Sequence, residues 1–154
     1  MKLSDLQYLM HQLGPATPEV TTIIQEAIDS WMVEFDEGVS MQIAWDERSQ
    51  RVLMKCAIGQ PDETSREDIY ALLLNANLQL TGVTDVKFAL SGADDDVILI
   101  GEYALKEQTL EALQVRLSEF LGFAGKFSRM IANVLSADSA QEFYPLASMH
   151  HDQA

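Results

Sequence analysis

The sequence predicts an α+β fold in which an antiparallel β-sheet is flanked by helices. Three observations predict it. Residues from about Leu110 to Leu135 carry an apolar stripe, Leu110, Leu113, Leu117, Phe120, Ala124, Phe127, Ile131 and Val134, at alternating spacings of three and four, the pattern of one helix face packed on a surface. A shorter segment, Ile69 to Leu80, is apolar at the same period, and the segments around it alternate with period two, as half-buried strands do. Helices that do not regularly alternate with strands, and strands linked by short polar turns, indicate an antiparallel sheet.

Taken in chain order, Ser4-Asp5-Leu6-Gln7 reads as a capping box, followed by Leu6, Leu9, Met10 and Leu13 on one face and stopped by Gly14-Pro15. Thr17-Pro18 starts a second segment with Val20, Ile23, Ile24, Ala27 and Trp31 at helical spacing, which predicts a second helix and so an N-terminal helical segment over 1–31. The β-branched run from Val20 to Ile24 leaves a strand open there. Trp31, Val33 and Phe35 alternate, Asp36-Glu37-Gly38 turns, and Val39, Met41, Ile43 and Trp45 alternate again. Val52, Met54, Cys56 and Ile58 supply the returning strand of a hairpin.

Thr64-Ser65-Arg66-Glu67 is a second capping box, which launches the short apolar helix that ends near Thr81-Gly82. This helix has two apolar rows. Ile69, Leu72, Leu73, Ala76 and Leu80 form one, and Tyr70, Leu74 and Leu78 form the other. Burying the first row leaves the second for the long helix or for a second copy of the chain. Val86, Phe88 and Leu90 then pair across a polar turn with Val97 to Ala104, and the long helix follows. Gly122 and Gly125 inside it mark either a bend or the close approach of another backbone. Residues 1–136 read as one domain, and 137–154 as a polar, flexible tail that holds Phe143-Tyr144-Pro145-Leu146.

The net charge of −14 restricts function. No Lys or Arg lies between Lys2 and Arg48, a stretch with nine Asp and Glu residues from Asp5 to Glu47, so nucleic acid and anionic membranes would be repelled. No signal pattern follows Met1 and no apolar run is long enough to span a bilayer, so a cytoplasmic protein without membrane insertion is expected. Cys56 alternates with apolar residues and reads as a small buried hydrophobe. Asp94-Asp95-Asp96 reads as a solvated turn, and His150-His151 lack the spacing of a metal site. Scattered histidines and carboxylates form no catalytic constellation, so neither catalytic residues, nor a metal, nor a cofactor is expected. The methionines Met10, Met32, Met41 and Met54 suit either a core or an adaptable contact surface.

The run Ile69-Tyr70-Ala71-Leu72-Leu73-Leu74-Asn75-Ala76-Asn77-Leu78, then Val86-Lys87-Phe88-Ala89-Leu90, an acidic turn, Val97-Ile98-Leu99-Ile100-Gly101-Glu102-Tyr103-Ala104-Leu105 and a long terminal helix, resembles the class I chaperones of bacterial type III secretion. That family includes the Tir chaperone. The resemblance extends from Met32 to Leu135. It implies a cytoplasmic homodimer in a Gram-negative bacterium that binds the N-terminal segment of a secreted effector in extended form and keeps it export-competent, with the secretion apparatus as a further partner. It also implies a dimer face on the short helix, at Tyr70, Leu74 and Leu78. The first helix and early sheet would meet the effector, through Leu6, Met10, Ile24, Trp31, Met41, Ile43 and Trp45. Two other readings stay open: an adaptor or regulator of the same fold that binds a folded partner, and an enzyme whose site is unreadable in sequence.

Overall fold

The computed structural model describes residues 1–92 and 95–133. Val134, Leu135, the tail segment Phe143–Leu146, His150 and His151 lie outside the described residues, as does Asp94 of the acidic turn. The elements in chain order are α1 (Leu3–Ala16), β1 (Val20–Ala27), β2 (Ser30–Phe35), β3 (Ser40–Asp46), β4 (Arg51–Gly59), α2 (Arg66–Leu80), β5 (Val86–Leu90), β6 (Val97–Tyr103) and α3 (Leu110–Asn133). The strands form one antiparallel sheet in the order β1-β2-β3-β4-β6-β5.

The expected helix over Pro18 to Trp31 is a strand. Val20 pairs with Phe35 and Ile23 with Val33, and the register slips between Val20 and Thr22. Phe35 and Val33 both face the core, so the extra residue of this bulge turns the strand spacing of two into three. The helical period read through Val20 and Ile23 is that bulge, and Trp31 belongs to the next strand. The β-branched run is sterically suited to a strand once β2 supplies the ladder. The segment 1–31 is therefore one helix, one strand and the start of another.

The ends of α1 differ from expectation as well. Lys2 is the N-cap, and its backbone N–H donates to Asp5 Oδ2 at 2.6 Å. The helix continues through Pro15 to Ala16 because a proline in the final turn forfeits only one helical bond. In α2 the N-cap is Ser65 rather than Thr64, and the helix ends at Leu80 with Thr81 as its C-cap, followed by Gly82 at φ +78°.

Trp31, Val33, Phe35, Met41, Ile43, Trp45, Val52, Met54, Cys56 and Ile58 point to one face of the sheet, where α1 and α3 cover them. Leu6, Leu9, Met10 and Leu13 from α1, and Leu113, Leu117, Phe120, Ala124, Phe127 and Ile131 from α3, complete this core. Fully burying one such aliphatic or aromatic side chain contributes about 1.5–3 kcal/mol. Helix α3 is unbroken, and neither of its glycines is approached by another backbone: a Cβ at Gly122 would meet nothing within 4 Å, and one at Gly125 only the Arg129 guanidinium at 3.4 Å.

The opposite face of the sheet carries Ile24, Met32, Leu53, Ile98 and Ile100, none of them fully buried. Helix α2 packs against β5 instead, at the edge of the sheet. Among the described residues no helix is long and apolar enough to cross a membrane.

Candidate functional site: two sheet edges and an exposed helix face

An antiparallel sheet ends in two strands whose outward N–H and C=O groups invite another strand. Here the two ends, β5 and β1, are treated differently. At β5, Asn77 of α2 turns its amide toward the edge: Nδ2 donates to the Phe88 carbonyl at 3.0 Å, and the Phe88 N–H donates to Oδ1 at 2.7 Å. The side chain stands where a neighbouring strand would bond. Asn77→Leu keeps the helix but removes both bonds, leaving two half-buried backbone groups unpaired. We expect a loss of about 1–3 kcal/mol, read as a lower midpoint in urea unfolding, with Phe88 amide exchange speeded; unchanged exchange at Phe88 would remove this role from Asn77.

Among the described residues no such side chain seals β1. Six of its eight residues from Val20 to Ala27 are exposed and the other two, Val20 and Ile23, are half-buried, and Ile24 and, in the following turn, Ile28 are 52% and 71% exposed. The turn after the strand is tied to α1, where Gln7 Nε2 donates to the Ile28 carbonyl at 3.0 Å, and the strand to β3, where Gln42 Nε2 donates to Glu26 Oε2 at 3.3 Å. Beside it, between the second half of α1 and β1, runs a groove of about 380 Å³ lined by Met10, Gly14, Pro15, Val20, Ile23 and Trp31, among others.

Of the residues expected to meet an effector, Leu6, Met10, Trp31, Met41, Ile43 and Trp45 are core residues, each at most 4% exposed. This corrects their expected surface placement. All six sit on the face between the sheet and α1, so folding of one chain already removes them from water. Met10 and Trp31 still touch the groove from its floor. Ile24 alone of the seven is on the surface, because its pairing with Met32 puts it on the face that α1 and α3 leave open. The open edge of β1 and Ile28 escaped the sequence reading; the β-branched run was the signal that could have found them.

On α2, Ile69 and Leu73 are buried and Tyr70 is half-buried, while Leu74 and Leu78 are 70% and 73% exposed. The second apolar row therefore does not meet α3 within the chain. Leu90 at the end of β5 and Val83 after α2 are exposed large hydrophobics too. Arg66 at the start of α2 pairs with Asp95 at 3.4 Å.

Burial raises the pKa of Cys56 and so disfavours its thiolate. Among the described residues no group of three or more His, Cys, Asp or Glu side chains is placed to hold a metal ion.

The model of the Tir chaperone protein (CesT) family matches residues 29–128. Among solved structures, a chain of the ExsC-ExsE complex superposes with a TM-score of 0.66 at 19% identity, over 84% of this chain and 95% of that one. A chain of the HopA1-SchA chaperone-effector complex superposes with a TM-score of 0.64 at 13% identity, over 84% of this chain and 98% of that one. No curated protein matches the sequence. The three helices, the antiparallel sheet and the sequence match from the start of β2 into α3 agree, and the chain belongs to the Tir chaperone protein (CesT) family.

Proposed function

We propose that this protein is a type III secretion chaperone that holds the N-terminal segment of an effector in extended form in the cytoplasm, keeping it competent for export. The observation that carries this reading is the unequal treatment of the two sheet edges: Asn77 closes β5, while β1 is left open beside a groove that Met10, Val20, Ile23 and Trp31 line together with His11, Thr21, Thr22 and Gln25. An unfolded segment can add to such an edge through its main chain and place alternate side chains in the groove, with main-chain bonds giving affinity and pockets giving selectivity. Family membership and the likeness to a chaperone-effector complex support the same reading. Binding of this kind needs no catalytic group, and the protein works as a binder and not as an enzyme.

The test is capture of the tagged protein from its host under secretion-inducing conditions, identification of the bound protein by mass, and limited proteolysis of that pair. A chaperone protects an N-terminal segment that is cut rapidly when the partner is alone. Ile24→Glu with Ile28→Glu should shorten this protection, because both side chains are exposed, one on the open strand and one in the turn that follows it. A partner whose contact region already resists protease without the chaperone would replace this reading with that of an adaptor for folded proteins.

A further inference from the structure

A second groove runs along α3, on the side of the helix that faces the end of β2. It consists of two adjoining hollows of about 340 and 470 Å³ whose linings share Glu19, Phe35 and Leu121. Together they reach from Gln114 to Arg129 of α3, about 22 Å of helix. That length takes six or seven residues, roughly, of extended chain.

Its floor is apolar, with Phe35, Val39, Ile58 and Leu121 among its lining residues. Its rim is acidic. Glu19, Asp36 and Glu37 line it and take part in no salt bridge among the described residues, whereas Arg129 is its one basic lining residue. The wall on α3 is cut low by Ala124, Gly125 and Ser128. Gly125 lowers helix propensity by up to about 1 kcal/mol relative to alanine, yet nothing among the described residues needs its missing side chain, since an added Cβ would meet only the movable end of Arg129.

We propose that this groove is a docking site for an extended segment of the client in which apolar side chains alternate with Lys or Arg. The apolar side chains enter the floor and the cations meet Glu19, Asp36 and Glu37. The assignment of the segment to a client rests on the chaperone reading above. Two nearer occupants fit poorly on charge. The chain's own residues 134–154 contain Asp138, Glu142 and Asp152 and no Lys or Arg. A second copy brings 24 Asp and Glu against 10 Lys and Arg.

The experiment measures binding of the full chain to a labelled peptide of about eight residues that alternates leucine and lysine, by fluorescence anisotropy. The same peptide with glutamate for lysine is the counterpart. The leucine-lysine peptide should bind and weaken with added salt, and the leucine-glutamate peptide should not. Gly125→Leu should fill the groove and cost about tenfold or more in affinity without lowering thermal stability, because leucine favours the helix. Asp36→Lys with Glu37→Lys should cost about as much, while Glu63→Lys with Glu67→Lys, at the start of α2, should cost little.

Absence of binding, equal binding of the two peptides, or binding indifferent to Gly125→Leu overturns the proposal. If a client is captured and protected but Gly125→Leu leaves its affinity unchanged, the groove proposal fails and the chaperone reading stands. If the peptides behave as expected and no client is protected, the groove stands and the chaperone reading fails.

Discussion

Gly101→Ala is expected to lower the melting temperature by about 4–8 °C, corresponding to roughly 2 kcal/mol for a chain of this length. Gly101 lies on the core face of β6, paired with Met54 on β4 and Val86 on β5. A Cβ there would stand 2.6 Å from the Tyr103 ring, 2.8 Å from its hydroxyl and 2.9 Å from Phe120. Neither ring can give way cheaply. Phe120 is fully buried, and Tyr103 is 4% exposed, with the Arg116 guanidinium 5.5 Å from its ring centre. Burial, with Glu119 adding to it, pushes the Tyr103 phenol up to about 12, as expected of a ring held in the interior. Phe120→Leu in the Gly101→Ala background should recover part of the loss, since the smaller side chain yields the space the methyl group needs. A Gly101→Ala protein that melts with the wild type would show that the sheet absorbs the methyl group by shifting.

Leu74→Glu or Leu78→Glu should convert a dimer into a monomer. We propose α2 as the dimer face because one turn apart it exposes two leucines at 70% and 73%, more than a lone solvent-facing apolar residue would require of explanation. Across a two-fold interface the substitution would place two carboxylates, one from each protomer. An uncompensated buried charge costs about 3–5 kcal/mol, enough to weaken association by a factor of a hundred or more. Because both leucines are already exposed in the single chain, the substitutions should leave its fold and melting behaviour intact. Light scattering reads the result directly: half the wild-type mass supports this face, and an unchanged dimer mass moves the interface elsewhere. Tyr70 is a weaker probe, since it is half-buried and its hydroxyl reaches toward the Asp95 carbonyl at 3.5 Å.

The strands β2 to β6 and the stripe of α3 were legible in the order of residues because their periods are local and uninterrupted. Met41, Ile43 and Trp45 alternate with Gln42, Ala44 and Asp46, and they are indeed on one face. The same alternation could not say whether that face meets solvent or a helix. It meets α1 and α3, so residues expected on a binding surface became core. Burial on a sheet depends on which side the helices cross, a long-range decision that no window of neighbouring residues records.

The order of residues determined the class of fold, the acidic surface, the two-sided apolar character of α2 and the start of the long helix, all of which follow from composition and short-range periodicity. Only the tertiary structure decided that Val20–Ala27 is a strand, since its bulged ladder exists only against β2. It also decided that Asn77, one of two asparagines on α2, closes the edge of β5. The groove along α3 likewise needs the end of β2 brought beside Gly125. Edges, grooves and exposed faces are relations between segments distant in the chain, and they form only when the packing of the core has fixed where each segment lies.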